Sequence, residues 1–233
     1  MELFSCCCCQ NNDEGPFSDS GGGEWRSEQE DARSFVFTIS RQDEHVPWGI
    51  ALDGLGRQAI HVCRVSGRPG TPVQKANRSA ASGRRLQAGD YIVSVNSLTG
   101  TVLDMLEEVQ ESRQVELQVC RPLEFVVSVN KSQGPLGCRV TYNKSNGTSL
   151  LIEEVQEGCV QRWNSSNKDQ AVQPDDRIIS VNGRPGTAGE LLQMIKLVGG
   201  QTTLRISRPD GQQARGAKHV LPTLQLSVLA EKA

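Results

Sequence analysis

Histidine is scarce in this chain of 233 residues, which holds only His45, His61 and His219. Three scattered imidazoles leave little for a histidine-built metal centre, and no H-E-x-x-H, Walker loop or nucleophile elbow occurs. His61 and Cys63 sit two apart on a strand-like run and so point the same way. No orienting acid is legible beside them, and the pair reads as core and rim rather than as catalytic machinery. Gly54-Leu55-Gly56 lacks the third glycine and the helix of a dinucleotide site and reads as a hairpin turn. An excess of charge of one sign is also missing: 25 Lys plus Arg stand against 27 Asp plus Glu, so no global field draws the chain to nucleic acid. No apolar run approaches the roughly 20 residues that cross a bilayer, and the N-terminus lacks the basic start and apolar stretch of a cleaved leader. The expectation is a non-enzyme with no cofactor, metal, nucleic acid or small-molecule substrate, facing the cytosol.

Aromatics are few, at 4%, yet hydrophobic residues reach 36%, enough for compact β-rich cores. Cysteine is not missing, but its placement excludes a disulfide framework: Cys6, Cys7, Cys8 and Cys9 are consecutive, and Cys63, Cys120, Cys138 and Cys159 fall singly in or beside apolar runs. The scattered four read as small core hydrophobes. Residues 10–33 are rich in Gly, Ser and acids without an apolar period, which is the composition of a tether.

What is present in quantity is repetition. YIVSVN (Tyr91 to Asn96) returns as RIISVN (Arg177 to Asn182), FVFTIS as FVVSVN, PWGIAL (from Pro47) as PLGCRV (from Pro135), and IHVCRV (from Ile60) as LLIEEV (from Leu150). TGTVLDMLEEV (from Thr99) then faces PGTAGELLQMI (from Pro185), and VELQVCRP faces TTLRISRP. Each half reads strand, turn, strand, strand, long loop, strand, turn, helix, strand. The second helix has a threonine to cap it, an apolar face at Leu191, Leu192, Met194, Ile195 and Val198, and glycines to stop it.

This order of elements, the φ-Gly-φ step after a proline at Trp48-Gly49-Ile50 and Leu136-Gly137-Cys138, and the L-x-x-G/D-D-x-I-x-S-V-N phrase together resemble the PDZ domain family, twice over about three quarters of the chain. The resemblance implies a mainly β, α+β fold of two PDZ-like, partly open β-barrels or sandwiches, each with a groove between a strand and a helix. The expected division is a tether with its cysteine cluster at 1–33, modules at 34–122 and 123–210 joined at Pro122 and Leu123, and a tail at 211–233.

The same resemblance implies a non-catalytic adapter whose partners are protein C-termini or extended peptide segments, bound as an added strand. Its groove residues would be Trp48, Gly49, Ile50, Ala51, Leu52, Val102, Leu106 and Val109 in the first module, and Leu136, Gly137, Cys138, Arg139, Val140, Ala188, Leu192 and Ile195 in the second. Glycine permits close backbone approach, and clustered N–H donors bind a terminal carboxylate. Val102 and Ala188 stand where family members that prefer Ser or Thr two residues before the ligand terminus carry histidine, which the resemblance reads as an apolar ligand residue there or as a loosened rule. The competing reading is a structural or lipid-surface protein with degenerate grooves. Cys6 to Cys9, beside Leu3 and Phe4, resemble S-palmitoylated clusters, which would make the chain a lipoprotein peripheral to the cytoplasmic face of a membrane. The stretch from Ser66 to Arg85, with Arg68, Lys75, Arg78, Arg84 and Arg85, reads as a basic loop.

Overall fold

The computed structural model describes residues 33–209, so the cysteine cluster, the tether and the tail fall outside the described residues. Within them the repeat becomes two antiparallel five-stranded sheets. The first contains β1 (Ser34–Ser40), β2 (Ile50–Asp53), β3 (Ile60–Val65), β4 (Tyr91–Val95) and β5 (Gln114–Cys120), in the order β1-β5-β4-β3-β2. The second contains β6 (Pro122–Asn130), β7 (Cys138–Thr141), β8 (Leu150–Val155), β9 (Arg177–Val181) and β10 (Gln201–Pro209), in the order β6-β10-β9-β8-β7. Four helices accompany them: α1 (Pro72–Ser79) and α2 (Val102–Glu111) with the first sheet, α3 (Cys159–Ser166) and α4 (Ala188–Leu197) with the second. The mainly β class with short helices is as expected from the sequence.

Two expectations need correction. The long loop of each half is not a loop: it carries α1 or α3, each followed by a 3-10 turn. Only two residues of each of these helices are buried, Pro72 and Val73 in α1 and Cys159 and Val160 in α3. So short a buried stripe leaves no helical period to read. Pro122 and Leu123 are not a linker either; they pair with Pro209 and Arg208 as the start of β6, so a single residue, Arg121, separates the two sheets.

The repeated phrase owes its repetition to backbone work. Asn96 and Asn182 end β4 and β9 with φ of +49° and +51°, a conformation Asn tolerates. There the side-chain oxygens accept from the amides of Glu116 and Thr203, each at 2.8 Å, tying the turn to the neighbouring strand. The acid of the phrase, Asp90 or Asp176, is met by the arginine of the Arg-Pro step that closes each copy, Arg121 or Arg208. Arg121 reaches Asp90 at 2.5 Å while lying 4.8 Å over the Phe35 ring, and Arg208 grips Asp176 in a fork of 2.6 and 2.7 Å while lying 5.1 Å over Phe125. The G/D alternation just before that acid marks a turn at φ +94° (Gly89) and +73° (Asp175). Thr101 with Asp104, and Thr187 with Glu190, close reciprocal capping boxes on α2 and α4, so both groove helices start at fixed points.

Candidate peptide grooves and the seam between the modules

Two sheet edges face a helix. β2 pairs with β3 alone and β7 with β8 alone, so among the described residues the outer edge of each carries no partner strand. Both strands bulge at the same step, Ala51/Leu52 and Arg139/Val140. Unpaired edges of this kind are templates for an added strand.

The loop ahead of each edge is fixed by its own carbonyls. Trp48 and Gly49 accept from the amides of Val73 (3.1 Å) and Ser66 (2.7 Å), and Leu136 and Gly137 accept from Val160 (3.0 Å) and Gln156 (2.8 Å). In a trans peptide the N–H opposes its C=O, so the amides of Gly49 and Ile50, and of Gly137 and Cys138, turn away from those inward bonds. Gly49 and Gly137 take φ of +82° and +78°, and a Cβ on Gly137 would come within 2.8 to 2.9 Å of backbone at Gln156, Glu157 and Gly158. Only glycine fits there.

A cation accompanies each cradle, which the sequence reading did not single out. Arg41 directly follows β1; its guanidinium lies 4.4 Å over the Trp48 ring and donates to the carbonyls of Ser112 (2.8 Å) and Gln110 at the end of α2. Lys131 directly follows β6 and donates to the carbonyls of Val198 (2.8 Å) and Ile195 at the end of α4. A positive side chain satisfies the last helical carbonyls and complements the helix dipole. Their matching place in the two halves was the available signal.

The walls differ between modules. Trp48 is buried, and its indole N–H donates to the Val109 carbonyl at 2.8 Å, filling the space beside the first cradle; Leu136 is only half-buried at the same place in the second. Val102, Val109, Ala188 and Ile195 are buried into the cores, whereas Leu106 and Leu192 are half-buried. Ile50, Ala51, Leu52, Cys138 and Val140 are half-buried along the strands. Arg139 points out and pairs with Glu153 (3.0 Å) and Glu154 (3.1 Å). Burial pushes the Cys138 thiol up to about 12, with the Asp176 charge adding to it. The far end of the second groove is closed by its own backbone, the Ala188 amide donating to the Gly147 carbonyl at 2.9 Å.

His61 and Cys63 do share a face, 3.8 Å apart, but the absence of an orienting acid needs correction: Asp53 completes a buried cluster with them. Burial, with the nearby Arg177 charge, lowers His61 to about 3, so near neutrality its imidazole is uncharged and only a weak base, and burial raises the Cys63 thiol, which disfavours the thiolate. The cation that three such ligands invite is supplied by the other module: Arg177 donates to Asp53 at 2.7 Å, the side chains being 1% and 0% exposed. Tyr91 adds a second tie across this seam, its hydroxyl 3.0 Å from that of Ser207.

The basic stretch is helical rather than a loop, and its cations Arg68, Lys75, Arg78, Arg84 and Arg85 are exposed on and around α1. No helix among the described residues is long and apolar enough to cross a membrane.

The profile of the PDZ domain family matches residues 126–207. No curated protein matches the chain. Among solved structures, the chain is similar to that described as "Structure of INAD PDZ45 in complex with NG2 peptide", at 18% identity over 82% of this chain and 94% of that one with a TM-score of 0.35. It is also similar to "The 5th PDZ Domain of InaD in 10mM DTT", at 22% identity over 38% and 99% with a TM-score of 0.29. Residues 126–207 match the PDZ domain family, and the sheet of Ser34–Cys120 repeats the strand order, the capped helix and the glycine cradle of that stretch.

Proposed function

We propose that the chain is a non-catalytic scaffold that gathers partner proteins by taking their C-terminal or extended segments as an added strand on β2 and β7. The observation that carries the reading is the pair of one-sided edges, each ending at a positive-φ glycine whose flanking amides face outward. Main-chain bonds would supply affinity along the edge, and the outward amides would take a terminal carboxylate in the positive field of Arg41 or Lys131. With the indole of Trp48 beside its cradle, the first groove would read mainly backbone. The second, with half-buried Leu136, Cys138 and Leu192, would take an apolar terminal side chain. Cys6 to Cys9 are proposed as S-acylation sites holding the chain at the cytoplasmic face of a membrane, since two or more chains anchor stably where one does not.

The test is titration of the full chain with a C-terminal peptide library and the same peptides as C-terminal amides. Saturable binding weakened by amidation, and removed groove by groove with Gly49→Leu or Gly137→Leu, is expected; no saturable binding to any peptide would refute the reading. For the anchor, membrane association lost on hydroxylamine treatment is expected, and a protein without labelled-palmitate uptake would end that part.

A further inference from the structure

The two grooves are closed at their far ends by different means. In the second module the closure is internal, through the Ala188 amide and the Gly147 carbonyl. In the first it runs through Asp53, the last residue of β2. One carboxylate oxygen of Asp53 accepts the Leu55 amide at 3.0 Å, shaping the turn that leaves the strand. At that turn Gly54 lies directly under the groove helix, since a Cβ there would come 2.5 Å from Leu106 Cδ1 and 3.0 Å from Val102 Cγ1. The other oxygen accepts from Arg177 of the second module.

Arg177 is suited to hold a fixed point. It opens β9, a strand paired on both sides, with Leu151 on β8 and Ser207 on β10, and the nitrogen that reaches Asp53 also donates to the Ser149 hydroxyl at 3.1 Å. The position that matches Arg177 in the first half is Tyr91, also the first residue of its strand, and it reaches across the seam to Ser207 on β10, not to the groove strand β7. The position that matches Asp53 is Thr141. The dependence therefore runs one way.

We infer that the second module completes the groove of the first, Arg177 acting as a positioning residue that holds the far end of β2 and the Gly54 turn through Asp53. The consequence for ligands rests on the peptide-binding reading of β2; the structural coupling does not, and the two are tested separately. Removing the guanidinium leaves a buried carboxylate without its partner and frees the edge strand to open locally.

The experiment is hydrogen–deuterium exchange on the full chain, comparing wild type with Arg177→Met, Arg177→Lys and Tyr91→Phe. In Arg177→Met the β2 amides bonded to β3, and the Leu55 amide, are expected to exchange about tenfold faster or more, while β7 stays within about twofold of wild type. Arg177→Lys, which keeps the charge, should fall between wild type and Arg177→Met. Tyr91→Phe loosens the same seam without touching Asp53 and should leave β2 unchanged. Unaltered β2 exchange in Arg177→Met, equal acceleration of β2 and β7, or acceleration of β2 by Tyr91→Phe as large as that by Arg177→Met would each overturn the inference. Should Arg177→Met fail to fold, Arg177→Lys carries the test, with no selective change at β2 counting against it. If β2 responds as stated and no library peptide binds, the coupling stands and the peptide reading falls.

Discussion

Acidification should loosen the chain through one histidine, and the size of the effect follows from where that histidine sits. His61 lies in the seam against Asp53, Cys63 and Arg177, with the Tyr91 ring centroid 5.2 Å away, and its buried Nε2 has no hydrogen-bond partner among the described residues. Desolvation is the larger cause and the Arg177 charge the smaller in lowering its pKa from 6.5 to about 3, with Asp53 opposing them. Between those two values the unfolded chain binds a proton that the folded one refuses. The stability His61 contributes is therefore complete above about pH 6.5 and is lost as pH falls towards 3. At pH 5 the gap is about 1.5 units, or about 2 kcal/mol at roughly 1.4 kcal/mol per unit. That is a large share of the roughly 5–15 kcal/mol that holds ordinary domains together. The assay is urea unfolding of the full chain at pH 7 and pH 5, followed by tryptophan fluorescence, for wild type and His61→Gln. Other groups titrate in both proteins, so the readout is the difference of differences: wild type should lose about 2 kcal/mol more than the variant. Equal losses would refute the argument, because they would mean that His61 is protonated in the folded state as readily as in the unfolded one.

Three further outcomes follow from the same contacts. Gly137→Ala should lower the melting temperature more than Gly49→Ala: both incur about 1 kcal/mol of left-handed strain, but the new methyl meets fixed backbone at Gly137 and the side chains of Thr71 and Val73 at Gly49. Arg208→Met, by leaving the buried Asp176 unpaired, should destabilise by about 3 kcal/mol in urea unfolding, whereas Arg139→Ala, which breaks two pairs on an arginine 59% exposed, should change stability by less than about 1 kcal/mol. Thr187→Ala removes the cap of α4 and should cost about 1 kcal/mol by the same assay, with Thr101→Ala matching it on α2.

The strand frame was legible because each element of it is said twice. The asparagine that ends β4 and β9, the threonine that caps α2 and α4, and the acid before each repeated strand recur at matching places, so a copy can be recognised by its punctuation. The helices α1 and α3 escaped because two buried residues apiece make no period. The seam escaped for a different reason. Asp53 and Arg177 are 124 positions apart, and each occupies a place where the other copy has something else, Thr141 or Tyr91. Comparison of repeats finds what the copies share, and the seam is made of what they do not.

That division carries a functional argument. The residues common to both halves hold sheets, turns and helix starts. The differences include the groove walls, where Trp48 faces Leu136, Ile50 faces Cys138, Val102 faces Ala188 and Val109 faces Ile195 in the frame of the repeat, and the seam. The sheet is indifferent to which apolar side chain lines an open edge, so the walls are free to differ between the copies where the frame is not. Divergent walls alone would fit two independent readers of two ligands. On the peptide-binding reading proposed above, divergent walls joined by a buried ion pair that ends on one groove strand fit something narrower: a second module that binds without the first, and a first whose groove is held at its far end by the second.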